Sequence, residues 1–113
     1  MGDIFERLET DKKYEKFAAK TLAKLQTYCP LSLHVIFEMI RTARISLQEL
    51  VQRDVRVAYH FISGSEMYEG IAALLYDEER RVPKWAHDSV GEVPEAEVVE
   101  HFRILPEEFE LKI

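Results

Sequence analysis

The chain has 113 residues, of which 47% are hydrophobic and 32% are charged, which is enough apolar material for one folded domain and excludes an intrinsically disordered chain. Its 15 Lys and Arg against 21 Asp and Glu give a net charge of −6. This balance opposes a general nucleic-acid binder or a polybasic membrane-surface protein, since a phosphate-binding face needs an excess of cations. With only 4 Gly and 4 Pro, the sequence lacks the turns of a many-stranded sheet and predicts one all-α domain over residues 1–113.

Two amphipathic helices are predicted in the first quarter of the chain. Asp3 is placed to cap a short helix through Leu8, and Asp11 to open a longer one. In the longer helix, apolar residues recur at three- and four-residue spacing: Tyr14, Phe17, Ala18, Leu22, Leu25 and Tyr28. The outer face carries Lys12, Lys13, Lys16, Lys20 and Lys24. Glu15 interrupts this lysine run, so the pattern favours a solvated face over a phosphate-binding one.

The middle of the chain predicts two further helices. Pro30 suits the first turn of a helix over residues 31–43, and Ser46 with Glu49 has the spacing of a capping box that opens the next. The first of these helices is apolar over a wide arc, which predicts burial on more than one side: Leu33, Val35, Ile36, Phe37, Met39 and Ile40. The second has its inward stripe at Leu47, Leu50, Val51, Val57, Ala58 and Phe61 and ends at residues 63–64.

A fifth helix is predicted to start at Ser65. Its inward residues are Met67, Tyr68, Ile71, Ala72, Leu74 and Leu75. Gly70 in its middle costs about 1 kcal/mol relative to Ala, which indicates a close helix crossing at that point.

The last third of the chain begins with a loop. Residues 77–93 are charged and aperiodic, with one large aromatic residue, Trp85, and a single helical turn near Ser89. Pro94 then begins a last helix, which ends at Pro106 and has Val98, Val99 and Phe102 inward. The chain as a whole therefore predicts about five to six amphipathic helices.

No metal site or nucleophile can be read from the cysteine and the histidines. Cys29 is the only cysteine, which excludes an intramolecular disulfide or a cysteine-rich zinc site and fits a reducing compartment. It precedes a proline at a helix start, where a thiol pKa can fall, but no base lies nearby and a small residue at a helix junction is favoured. The four histidines lie on four segments, without a second ligand one helical turn away: His34, His60, His87 and His101.

Two acids lie among apolar residues and are the candidates for acid–base chemistry. Asp54 falls in the inward stripe of the fourth helix, and a buried carboxylate has a raised pKa unless it is paired. The alternative, an ion pair with an arginine such as Arg41, Arg44 or Arg56, is favoured. Glu69 is a second candidate with the same alternative. Glu107, Glu108 and Glu110 are interpreted as tail charges.

No targeting signal or membrane-spanning segment is predicted in the chain. Residues 1–13 have no apolar signal-peptide core, and their acids make them a poor mitochondrial transit peptide. No apolar run approaches the roughly 20 residues of a membrane span.

Six strings occur in succession: GDIFERLETD, FAAKTLAKL, CPLSLHVIFEMIR, ISLQELVQRDVRVAYHFI, SEMYEGIAALLYDEERRVPKW and SVGEVPEAEVVEHF. In order and spacing they resemble the C-terminal part of the 3-hydroxyisobutyryl-CoA hydrolase family, within the enoyl-CoA hydratase/isomerase (crotonase) superfamily. The segments that contribute most to this resemblance are residues 30–33, residues 68–71, and Asp77 with residues 83–85. The chain departs from the family in having Cys29 where Ser is usual and Asp54 where Glu is common.

The resemblance implies a helical region that follows a crotonase core, covers its acyl-CoA site and mediates subunit contacts. The oxyanion hole and the catalytic acids of the family lie in that core, so the resemblance implies no catalytic residue here and an inactive fragment when the chain is alone. The complete homologue would hydrolyse a CoA thioester as its substrate, in the mitochondrion. The implied partners are the missing N-terminal core or a neighbouring subunit, and we expect a homo-oligomer because helices without their core expose apolar faces.

The resemblance also implies one weak binding site. Lys84 and Trp85 occupy a place from which family members touch the phosphates or adenine of CoA, with a cation for phosphate and a ring for stacking. The alternative, which is favoured, is that Trp85 fills the edge of the core and Lys84 points to water. A different class of function also stays open, in which the chain is a non-catalytic helical interaction module, such as a diverged relative in a mitochondrial ribosomal assembly.

Overall fold

The computed structural model describes residues 1–76 and 81–112. Within those ranges the chain forms helices and turns and no strand, which confirms the predicted all-α fold. The helices are α1 (Gly2–Thr10), α2 (Glu15–Leu25), α3 (Pro30–Arg41), α4 (Leu47–Ser63), α5 (Glu66–Ile71) and α6 (Glu95–Glu100). A π-helical turn, Ala72–Tyr76, continues α5, and short 3-10 turns lie at Val90–Glu92 and Glu107–Phe109. The predicted loop of residues 77–93 lies partly outside the described residues, at 77–80.

Helix α1 begins earlier than the predicted cap at Asp3, and α2 begins later than the predicted start at Asp11. Met1, rather than Asp3, is the N-cap of α1, and Asp3 lies in its first turn, where a carboxylate favours the positive end of the helix. Asp11 accepts a hydrogen bond from the Tyr14 N–H at 2.8 Å, which closes a turn before α2 begins at Glu15. The predicted start at Asp11 therefore marks the turn rather than the helix.

The starts of α3 and α4 confirm the local signals. Pro30 is the first residue of α3. The Glu49 N–H donates to Ser46 Oγ at 3.2 Å, while the Ser46 N–H donates to Glu49 Oε2 at 3.3 Å, so both halves of the capping box are present. Arg53 on α4 donates to the Met39 carbonyl at 2.9 Å, which satisfies an acceptor at the end of α3.

The core forms where α3, α4 and α6 meet. α3 packs against α6 and the 90–92 turn, and α4 packs against α5. The buried cluster consists of Cys29, Leu31, Val35, Val57 and Val98. The predicted burial of α3 on several sides is only partly correct, because Ile36 and Ile40 are 52% and 72% exposed.

Helix α4 is rotated away from its predicted orientation. Leu47 and Val51 of the predicted inward stripe are exposed, and Asp54 is exposed as well. Besides the apolar contacts of Val57, polar contacts hold α4: the Gln52 side-chain amide donates to the Leu111 carbonyl at 3.1 Å, and Arg56 pairs with Glu110 at 2.8 Å. Gln52 and Arg56 lie about half a turn from Asp54, so the C-terminal segment covers the face of α4 opposite the centre of the predicted stripe.

The molecule is flat and exposes much of its surface. Its extents are 48 × 40 × 22 Å and its radius of gyration is 16.2 Å, whereas a compact chain of this length has a radius of about 13 Å. The accessible surface is 8633 Å², about 2,100 Å² more than a monomer of this mass normally exposes. The excess matches what one side of a large, permanent interface buries.

Candidate functional site

An apolar cavity of about 540 Å³ lies between α5, the start of α3 and the extended segment after residue 80. Its lining is Cys29, Ser32, Phe61, Glu66, Met67, Gly70, Ile71, Leu74, Leu75 and Trp85. At its mouth, Leu74 and Leu75 are 56% and 74% exposed, so the cavity opens onto an apolar surface. With so few polar groups in its wall, this cavity is suited to hold apolar atoms rather than to carry out acid–base chemistry.

Trp85 forms one wall of the cavity and is held at both ends. Its Nε1–H donates to the Thr27 carbonyl at 3.2 Å, and its ring packs against the core cluster. A Cβ atom added to Gly70 would lie 3.0 Å from Cη2 of this ring. The close approach that Gly70 predicts is therefore real, but the group that approaches is the Trp85 ring instead of another helix.

Lys84 and Trp85 point to different sides of the chain. Residues 81–87 alternate between partly buried and exposed positions, as an extended strand of chain does. Trp85 faces the cavity, whereas Lys84 is exposed and lines a separate shallow groove beside Glu69. The structure thus places the Trp85 ring at the edge of the core, while a contact of either residue with CoA stays a prediction.

Glu69 of α5 binds the segment that carries Trp85. Its carboxylate forms a bidentate ion pair with the Arg81 guanidinium, and its Oε1 accepts the Lys84 backbone N–H at 3.0 Å. The hydrogen bonds from Arg81 and then from Lys84 lower the pKa of Glu69 to about 2. The interpretation of Glu69 as an ion-paired residue, rather than a catalytic acid, is confirmed.

Glu66, one turn before Glu69, binds the same segment further along. Its Oε1 accepts the Ala86 N–H at 2.8 Å, and its Oε2 accepts the Cys29 thiol at 3.4 Å. Burial raises the pKa of the Cys29 thiol. Cys29 is the N-cap of α3, as the helix-junction interpretation predicts. The only sequence signal for Glu66 is its i, i+3 spacing from Glu69, which places the two carboxylates on one face of α5.

Two interpretations of the acids are wrong. Asp54 is exposed on α4, on the face opposite the Gln52 contact, although Val57 of the same stripe is buried in the core. Glu110 is not a free tail charge, since it pairs with Arg56 and accepts the Leu105 N–H at 2.8 Å. The Arg56 hydrogen bond, with that of Leu105, lowers the pKa of Glu110. An acid so near the end of the chain gives no sequence signal of a partner located 54 residues earlier.

The histidines form polar contacts within the fold, and the rings of His60 and His101 also contact each other and the neighbouring rings of Tyr59 and Phe61. The Nε2 atoms of His34 and His60 donate to the carbonyls of Val90 and Arg103 at 2.6 and 2.9 Å. His87 lies 2.7 Å from the Glu97 carboxylate. Within residues 1–76 and 81–112, no three His, Cys, Asp or Glu side chains are grouped as a metal site would require.

A second cavity, of about 650 Å³, lies between α3 and α6. Its lining is His34, Glu38, Arg41, Thr42, Val93, Glu95, Val98, Val99 and Phe102. The charged groups on its α3 side neutralise each other, because Arg41 Nη2 lies 2.7 Å from Glu38 Oε2. The hydrogen bond from Arg41 lowers the pKa of Glu38. In the described part of the chain, no helix has the length and apolar character needed to cross a membrane.

Comparison with known proteins gives one consistent family. Residues 1–102 match the enoyl-CoA hydratase/isomerase family. The mitochondrial 3-hydroxyisobutyryl-CoA hydrolase of Dictyostelium discoideum is 34% identical over 97% of this chain, which corresponds to 29% of that relative. The enzyme of the same name from Xenopus laevis is 35% identical over 82% of the chain and 24% of its own length.

The human enzyme of that name is 28% identical over 91% of the chain and 26% of its own length. The chain therefore spans 24–29% of the length of these curated relatives. No solved structure matches the chain significantly.

Proposed function

Because the chain belongs to the enoyl-CoA hydratase/isomerase family, we propose that it is the C-terminal helical region of a 3-hydroxyisobutyryl-CoA hydrolase-like protein. In this role it packs on a crotonase core, covers the acyl-CoA site there and supplies subunit contacts. The core holds the oxyanion hole and the catalytic acids, and hydrolyses the thioester. The chain alone is then inactive, and the complete protein acts in the mitochondrion, as the relatives' names state for them.

The excess exposed surface of the folded chain is the observation that carries this proposal. Beyond the two leucines at the mouth of the cavity, Tyr76 and Val82 are 79% and 81% exposed. These residues lie on the π-helical turn and on the extended segment that carries Trp85. Covering such a surface releases about 25 cal/mol for each Å² of apolar area, which favours a large partner over a free monomer.

In the assembled protein we propose that Lys84 and Trp85 contact the CoA portion of the substrate. The exposed ammonium of Lys84 is suited to a phosphate, and the indole of Trp85 offers a flat surface for the adenine or for the apolar pantetheine arm. Because the two side chains point to different sides of the segment, the two contacts are expected to be separable. Lys84→Ala and Trp85→Ala should each raise KM for the thioester more than they lower kcat.

Complementation in trans tests the main proposal. The Dictyostelium discoideum relative, shortened by the segment that matches this chain, is expressed with and without the chain. Hydrolysis of 3-hydroxyisobutyryl-CoA is followed by release of the CoA thiol. We expect turnover only when both pieces are present, together with co-purification of the two. A shortened relative that is fully active alone, or a chain that never binds it, would refute the proposal.

A pair of matched variants makes this test specific for the apolar face. Leu75→Glu adds a charge at the mouth of the cavity, and Leu47→Glu adds the same charge at the start of α4, where the leucine is equally exposed at 76%. Since both side chains are exposed, both variants should fold. Only Leu75→Glu should abolish complementation.

The non-catalytic interaction module remains the second candidate. The same excess surface favours it, because it requires a partner but no chemistry. Complementation separates the two candidates: a chain that binds the shortened relative and leaves it without turnover supports the module, whereas restored turnover supports the hydrolase region.

A further inference from the structure

Two carboxylates of α5 fasten the extended segment of residues 81–86, which we call the strap, onto the helix. Glu69 binds its beginning through Arg81 and the Lys84 N–H, and Glu66 binds its end through the Ala86 N–H. The Arg81 N–H also donates to the Ala73 carbonyl at 3.3 Å. Charged acceptors make stronger hydrogen bonds than neutral ones, so this pair holds the strap at both ends.

Trp85 lies between those two attachments, and its position depends on them. One side of the ring is limited by Gly70, where no Cβ can be added without contact, and the Nε1–H reaches Thr27 on the opposite side. The carboxylates of Glu66 and Glu69 bind four residues, of which Arg81, Lys84 and Ala86 lie on the strap and the fourth is Cys29. Without them, the indole would depend on the Thr27 hydrogen bond, the Arg81–Ala73 backbone hydrogen bond and packing.

We propose that Glu66 and Glu69 are positioning residues that hold Trp85 as the wall of the apolar cavity and so fix the shape of the surface offered to a partner. Neither carboxylate touches the partner in this role. The part that concerns the partner rests on the proposed function, whereas the part that concerns the indole is independent of it. A strap that is already ordered lowers the free energy that binding would spend on ordering it.

Trp85 is the single tryptophan of the chain, so its fluorescence reports the strap directly. Glu66→Ala with Glu69→Ala removes the attachments, and Glu66→Gln with Glu69→Gln keeps a neutral acceptor at each place. Both are compared with Glu108→Gln, at an exposed position of the last 3-10 turn. We expect a red shift of the emission maximum and stronger acrylamide quenching, in the order double Ala, then double Gln, with Glu108→Gln unchanged.

A second perturbation reaches the same ring from the other side and does not depend on the acids. Gly70→Ala puts a Cβ about 3.0 Å from Cη2 of Trp85, so the ring must move by a few tenths of an ångström. A ring on a loosened strap moves more easily. The substitution should shift the emission of the wild-type chain and have less effect in the double Ala variant. Circular dichroism verifies that every variant keeps its helices, and the double Gln variant keeps the proposal testable if the double Ala variant unfolds.

Binding to the shortened Dictyostelium relative is measured separately. The double Ala variant should bind about tenfold more weakly than the wild type, which corresponds to roughly 1.4 kcal/mol of additional ordering. An unchanged emission spectrum in the double Ala variant, or an altered spectrum with unchanged affinity, would overturn the positioning role. If the wild-type chain itself fails to bind, the proposed function fails, and the spectra alone still decide whether the two acids hold the indole.

Discussion

The α1–α2 arm (residues 2–25) and the α3–α4–α6 core differ in what covers their apolar faces. Both carry regular helical spacing of apolar residues. In the core, five residues from α3 or its cap, α4 and α6 form one buried cluster. In the arm, α1 packs against α2, and Ala18 is the only buried residue, while Tyr14 and Phe17 are 60% and 69% exposed. Periodicity therefore identifies the face of a helix that favours burial, but not whether this chain supplies the cover.

The largest expected effect tests the core side of this comparison. Leu31 is 3% exposed, and Leu31→Ala should lower the free energy of unfolding by about 2–5 kcal/mol, through lost burial and an unfilled cavity. The matched leucine in the arm is Leu22 of α2, which is only partly buried, and Leu22→Ala should cost roughly 1 kcal/mol. Urea unfolding followed by circular dichroism measures both. Equal costs would mean that arm and core are equally packed.

A smaller effect on stability is expected at the N-cap of α4, a helix of the core. Ser46→Ala removes the hydroxyl that caps α4 and should cost about 1 kcal/mol. Ser65, the N-cap of α5, forms no side-chain cap, so Ser65→Ala is the control and should be nearly neutral. The same denaturation series measures both. A neutral Ser46→Ala would contradict the observed capping box.

Local features of the fold could be predicted from the sequence, whereas features that depend on contacts between distant residues could not. The capping box and the proline start of α3 involve residues at most three positions apart, and both were predicted correctly. The orientation of α4 was not, because it depends on Glu110 and Leu111 at the far end of the chain. The site was predicted in part: Trp85 at the core edge and Glu69 in an ion pair were expected, whereas the role of Glu66 depends on contacts across 20 and 37 residues.

The strap contributes a pH dependence of its own, beside those of the Glu38–Arg41 and Arg56–Glu110 pairs. The folded pKa of Glu69 is about 2, below its ordinary value of 4.5, so deprotonated Glu69 stabilises the fold. This stabilisation is complete above the unfolded pKa and is lost as the pH falls from about 4.5 towards 2. Thermal unfolding should show that stability declines over that pH range, and Glu69→Gln should reduce the decline. The decline should be smaller than the loss caused by Ser46→Ala, because the Glu69–Arg81 pair is partly exposed. The same decline in Glu69→Gln and in the wild type would contradict this assignment.

The smallest expected effect on stability is in the arm. Phe17→Ser removes a ring that is already 69% exposed, so the free energy of unfolding should change by less than about 0.5 kcal/mol. Self-association should change much more. When the chain is alone, a second copy is what would cover an exposed aromatic ring such as Phe17. Sedimentation velocity at increasing concentration should show a homo-oligomer for the wild type and a shift towards monomer for Phe17→Ser, with Lys20→Ser on the same helix as the unchanged control. A wild type that stays monomeric would refute the expected oligomer. A large loss of stability in Phe17→Ser would instead mean that the arm is covered within its own chain, and the contrast between arm and core would then disappear.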